Sequence, residues 1–284
     1  MTVRPAAVAG TWYPGLAQAL TRDVDGYLNA VAETSIGRVT ALIAPHAGIM
    51  FSGPVAAFAY KAAARSRYDD VVLVGPSHFV GFEGVALYPE GAFDSPLGRA
   101  PINSVLASRV AASPVVRSMP SAHGREHSLE MQLPFLRRLL SEASIVPLLM
   151  GYQTRETILA LAAALSEALR GTASLLVASS DLSHYFDART AASLDARVLE
   201  RVAAFDPEGL LDDFERYPEH ERGRYVACGG GPMIAVMMAA RALGAVDARV
   251  LKYAHSGEIS GDYDGVVGYM AAVMGVFGGE RAGT

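Results

Sequence analysis

Apolar residues in this chain fall into two patterns. Short runs of four to eight, bounded by turn formers, lie at residues 39–44, 71–75, 144–150, 174–178 and 249–254. Runs of that length without polar alternation predict strands covered on both faces. A longer β-like run follows at 266–274. Between the runs, apolar positions recur at helical spacing: Leu16, Leu20, Val24, Tyr27 and Val31, then Ala191, Leu194, Val198, Val202 and Phe205. Asp206-Pro207-Glu208 predicts a helix start, with an acid at the N-cap and proline at the first helical position. Leu243-Gly244 predicts a helix stop, and Pro54 suits a first turn. In "HGREHSLEMQLPFLRRLL", Leu129, Leu133, Leu136 and Leu140 form an apolar stripe. His127 and Glu130, three apart, would share a face of that helix, and Pro134 belongs in or near its first turn. The turn-rich stretch 84–98 predicts a hairpin beside the main sheet.

Strand–helix alternation places the chain in the α/β class, with a mostly parallel central sheet and helices on both faces. The absence of a Ser/Gly-rich linker, a repeat or a low-complexity tract makes residues 1–284 one expected domain. The net charge of −5, without a Lys/Arg tract, argues against a nucleic-acid partner. No apolar run approaches the roughly 20 residues that cross a bilayer, so no membrane partner is expected. The single cysteine rules out an internal disulfide framework. Together with an N-terminus lacking a signal-peptide core, it fits a cytoplasmic protein.

Candidate chemistry gathers where the apolar runs end. His46 follows one run, His78 another, Asp181 and His184 a third, and His255 a fourth. Parallel strands bring their C-terminal loops to one edge, where open α/β sheets bind ligands. Imidazole is the commonest metal-binding side chain. Two histidines plus an anionic ligand suit non-haem iron, and three protein ligands plus water suit catalytic zinc. The third ligand would be Cys228, Asp181 or a glutamate. Cys228 precedes Gly229, Gly230, Gly231 and a helix start, where the partial positive charge favours thiolate. The glycines would let the backbone approach a bound group. His123 and His255 read as loop residues, His255 the nearer to a pocket, and His220 as solvated surface.

The segments "RPAAVAGTWYP", "APHAGIMFSGPVAAFAY", "VLVGPSHF", "REHSLEMQLPFL", "ASSDLSHY", "CGGGP" and "GDYDGVVGYMAAV" resemble, in order and across residues 4 to 273, the Memo family. Its prokaryotic members are also called the AmmeMemoRadiSam system protein B group. The resemblance implies a fold similar to the catalytic subunit of class III extradiol dioxygenases, which hold non-haem iron with two His and one Glu. It implies a metal set of His46, His78 and Cys228, with the cysteine replacing the dioxygenase glutamate. Thiolate is the softer ligand, so copper or zinc becomes as suitable as iron. His184 and Asp181 would then act beside the metal, His184 as acid/base and Asp181 orienting it. His127 and Glu130 would support the ligands from behind. The implied pathway partners are an AMMECR1-like protein and a radical-SAM protein, and the substrate is an unknown small molecule. Three functions follow as expectations: redox chemistry on iron or copper, hydrolysis by zinc or by the Cys228 thiolate, and non-enzymatic binding of a peptide or protein.

Overall fold

The computed structural model describes residues 2–33 and 36–278. In chain order its strands are β1 (Val3–Arg4), β2 (Arg38–Ala44), β3 (Asp70–Pro76), β4 (Val85–Leu87), β5 (Ala92–Phe93), β6 (Ala100–Pro101), β7 (Val116–Ser118), β8 (Ser144–Met150), β9 (Ser174–Ser179), β10 (His184–Phe186), β11 (Asp247–His255) and β12 (Val266–Val276). Its helices are α1 (Ala17–Ala30), α2 (Ile49–Ala63), α3 (Ser104–Val110), α4 (Leu133–Leu139), α5 (Arg155–Ala168), α6 (Ala188–Ala203), α7 (Pro207–Glu215), α8 (Glu219–Tyr225), α9 (Gly230–Ala242) and α10 (Gly257–Ser260). Every apolar run named above is a strand.

The large sheet runs β10-β12-β2-β9-β3-β8-β4-β7, with β11 also paired to β12. Its centre, β2-β9-β3-β8, is parallel throughout. Its flanks turn antiparallel at β12 and β4. β12 returns after only a short connection from β11, too short for the helical crossover a parallel pair requires. Alternation along the central strands sorts the core into two layers. Leu42, Leu73 and Val177 face one layer with α1, α2 and α4. Ile43, Val72, Val74 and Ala178 face the other, with α5, α7 and α9. Each fully buried aliphatic side chain contributes about 1.5–3 kcal/mol. Among the described residues no helix is long and apolar enough to cross a membrane.

Three expectations change. Residues 84–98 do not form a hairpin: β4 joins the large sheet, whereas β5 pairs with β1 and β6 in a separate small sheet. Gly91, at φ +103, permits that divergence, because a Cβ there would lie 2.0 Å from the Thr2 carbonyl oxygen. Pro54 lies in the interior of α2 rather than its first turn. The carbonyl it leaves without a donor belongs to Met50, which is exposed and open to water. Residues 127–129 precede any helix: a 3₁₀ turn spans Glu130–Gln132 and α4 begins at Leu133, with Pro134 in its first turn. His127 and Glu130 therefore share no helical face.

Candidate metal centre

β9 lies between β2 and β3, so the loops after these three strands meet at one edge of the sheet. His46 stands two residues past β2. Its main-chain N–H donates to Asp181 Oδ1 at 2.7 Å, and that of Ala47 donates to the same oxygen at 3.3 Å. Its ring Nδ1 lies 2.9 Å from Ser179 Oγ, at the end of β9. Burial is the main influence holding the His46 ring well below the usual imidazole range, and the nearby rings of His78, His127 and His184 push the same way. His46 is thus neutral, with a lone pair to give.

His78 stands two residues past β3, and a glutamate from another segment holds it. Glu126 Oε1 accepts from His78 Nδ1 at 2.9 Å, and Oε2 accepts from the His78 main-chain N–H at 2.6 Å. Glu126 Oε1 also takes the main-chain N–H groups of His127 and Ser128, each at 2.9 Å. Burial pushes the Glu126 carboxyl upward, but the hydrogen bonds and charge of His78, with the main-chain donors, outweigh it and hold the group at about 2. Burial likewise opposes charge on His78, yet hydrogen bonds to Cys228 and Glu126 raise it to about 10.

The cysteine arrives from the loop before α9. Cys228 Sγ lies 3.2 Å from His46 Nε2 and accepts the Asp181 N–H at 3.3 Å. The glycines after it serve packing, not a bound group. A Cβ on Gly229 would fall 2.4 Å from the Ser179 carbonyl oxygen, one on Gly230 would fall 2.3 Å from the Phe214 ring, and one on Gly231 would meet Met150 and Gln153. Their smallness lets the cysteine loop press against the end of β9. Gln153 Nε2 donates to the Cys228 carbonyl at 2.7 Å and locks the loop there.

One nitrogen each of His46 and His78 and the Cys228 sulfur lie within 4.8 Å of one another. An ion bonded at about 2.0–2.3 Å to each would need these atoms roughly 3–4 Å apart, so a slight closure brings all three onto one cation. The chemistry of the set fits as well, since both imidazoles have their Nδ1 engaged by the protein. His78, Glu126 and His127 form a second group of similar spread. There the Glu126 oxygens are already occupied by three main-chain N–H groups and His78, which marks a support rather than a second centre.

A cavity of about 490 Å³ opens over the trio, lined also by Trp12, His127, Asp181, His184, Tyr185 and Arg224. His46, His78, Asp181 and His184 thus meet in one cavity, as their strand-end positions predict, and Cys228 joins them from the loop before α9. Asp181, however, braces the main chain of His46 instead of orienting His184. His184 is held below its usual range, chiefly by burial, and its Nδ1 has no hydrogen-bond partner. His127 stacks on His78 with ring centroids 4.5 Å apart and is covered by Trp12 at 4.2 Å.

Glu130 points away from the rings of His46 and His78. Its carboxylate accepts from Arg4 Nη1 at 2.6 Å, from the N–H groups of Ala7 and Val8, and from the Tyr13 hydroxyl at 2.7 Å. Arg4 also donates to the carbonyls of His123 and Glu126. This buried pair straps the N-terminal segment over the 123–130 loop and lays Trp12 against His127. His123 is buried, with its Nε2 3.2 Å from the Ala86 carbonyl oxygen, so it is a structural residue and not an open loop position. His255 packs against Tyr263 outside the cavity, and His220 is exposed.

The sequence profile described as Memo-like protein matches residues 4–273. A MEMO1 family protein of Methanopyrus kandleri is 37% identical, covering 95% of this chain and 98% of that protein. One from Thermotoga maritima is 33% identical, covering 95% and 99%. Among solved structures, an uncharacterized protein of Escherichia coli K12 shares the fold, with a TM-score of 0.59 at 16% identity over 84% of this chain and 100% of that one.

Proposed function

Since this chain belongs to the Memo-like protein family, we propose that it is a metal-binding protein in which His46, His78 and Cys228 hold iron or copper beside a cavity for a small molecule. The grouping of two imidazole nitrogens and a thiol within 4.8 Å carries this reading. When bound, the metal would supply redox chemistry at its open positions. The chain's own residues do the rest. Trp12, exposed at the cavity wall, offers a flat face on which a planar group stacks. His184, half-buried at the cavity wall and held below its usual range chiefly by burial, is the ring that exchanges a proton with the bound molecule. The thiol in place of a carboxylate ligand argues against simple transfer of ring-cleaving chemistry.

A hydrolytic reading has one observation of its own, the 3.2 Å contact between Cys228 Sγ and His46 Nε2. Such a pair activates a thiol as a nucleophile, and zinc on the same three ligands would activate water. Metal analysis of protein purified without oxygen separates the readings. About one equivalent of iron or copper in the wild type, lost in His46→Ala and Cys228→Ser, is the expected result. Zinc accompanied by slow ester turnover would favour hydrolysis. A wild type that retains and takes up none of the three metals overturns the metal reading and leaves the cavity as a binding site alone.

A further inference from the structure

Behind His46 runs a buried chain of hydrogen bonds with a fixed direction. Gln132 Nε2 lies 3.1 Å from the Pro45 carbonyl and 2.8 Å from Ser179 Oγ. A carbonyl only accepts, so the amide nitrogen must be the atom facing Pro45. Gln132 Oε1 then accepts from the buried Tyr60 hydroxyl at 2.8 Å. Ser179 in turn gives its own proton to a second obligate acceptor, the Ser128 carbonyl, at 2.6 Å. With that proton committed, the remaining lone pairs of Ser179 Oγ must both accept: one from Gln132 and one from His46 Nδ1, at 2.9 Å.

We propose that Ser179 and Gln132 are positioning residues that fix His46 as the Nδ1–H tautomer and so aim the Nε2 lone pair at Cys228 and the cation position. The opposite tautomer would take the Ser179 proton away from the buried Ser128 carbonyl and put a hydrogen on the nitrogen that has to bind. Glu126 performs the corresponding task for His78 once that ring gives up its second proton, since a carboxylate at 2.9 Å from Nδ1 keeps the remaining proton there and leaves Nε2 bare. Glu126, Ser128 and Gln132 belong to one seven-residue stretch. That single segment, from neither of the strands that carry the two histidines, sets the proton position on both rings.

The tautomer stands on the hydrogen bonds alone; its consequence for binding rests on the metal reading. Long-range proton–nitrogen correlation spectra of the metal-free protein, labelled at histidine with ¹⁵N, read it directly. Wild-type His46 is expected to show a protonated Nδ1 and an unprotonated Nε2. Ser179→Ala should move His46 toward the Nε2–H form and weaken Zn²⁺ binding by about 10–100-fold, the usual cost of losing a ligand's supporting partner. A wild-type His46 with its proton on Nε2, or a folded Ser179→Ala protein with an unchanged tautomer, overturns the proposal. The wild-type spectrum decides even where the variant fails to fold. If the wild type shows the Nδ1–H form but binds no zinc, iron or copper, the positioning role stands and the metal reading falls.

Discussion

Glu126 and Asp181 are the two carboxylates that brace His46 and His78, and they respond to pH in opposite senses. Glu126 is held at about 2, below its ordinary 4.5, so it contributes stability above pH 4.5 that is lost as pH falls toward 2. Glu126→Gln should therefore cost stability at pH 6, about 2–3 kcal/mol given that His78 is partly exposed, and much less at pH 3. Urea midpoints at the two pH values measure the difference, and the raised titration of His78 should fall with it. Asp181 is shifted the other way. Burial, partly offset by the N–H groups of His46 and Ala47, lifts it from 3.8 to about 6. The metal-free native state then binds the extra proton between these values, and stability falls as pH rises through them. Asp181→Asn keeps the accepting oxygen and should raise the melting temperature of the metal-free protein at pH 7.5 while leaving it unchanged at pH 3.

At the scale of elements, the N-terminal strap is the part whose loss should open the cavity. Removing one partner of a buried ion pair costs about 3–5 kcal/mol, and Arg4 and Glu130 are both almost wholly buried. Glu130→Ala should lose that much in denaturant unfolding. It should also free Trp12, the single tryptophan of the chain, giving a red-shifted emission and stronger acrylamide quenching in protein that is still folded. The strap shows where sequence pattern reaches and where it stops. β9 is legible because four consecutive apolar residues between polar ones have one economical use, a strand buried on both faces. His46, His78 and Cys228 are legible as members of the centre because each sits at a boundary that local pattern marks. Glu126, Gln132 and Trp12 are not, because none stands directly at the end of an apolar run or beside a glycine-marked helix start. Glu126 and Gln132 reach the centre only through the packing of residues 123–132 against β1 and β9, which no local periodicity encodes. The motif that holds Glu130 implies support for the ligands, whereas its side chain serves the strap. The hairpin expected at 84–98 fails for a related reason: turn chemistry reports where the chain bends, not which sheet receives the next strand.

Across the whole molecule, the proposed metal binding would couple to both stability and protons. A ligand that binds only the folded state adds about 2.7 kcal/mol at a hundred times its dissociation constant, so zinc at that excess should raise the melting temperature of the wild type and not of Cys228→Ser. Because His78 is held near 10 without metal, a cation at neutral pH must displace at least one proton. Affinity should therefore rise with pH up to that value. Calorimetry in buffers of differing ionisation heat should count one or more protons released per ion.

The contact between His46 and Cys228 spans 182 positions of the chain, and it bears on how the protein is born. At a synthesis rate of about 5–20 residues per second, the ribosome delivers the sulfur roughly 10–40 s after the first imidazole. From His78 onward the nascent polypeptide holds both nitrogen ligands without their third companion. On the proposed metal reading, tight capture of an ion is thus a late event of biogenesis, reserved for chains that have been translated past the cysteine and have closed the sheet around it.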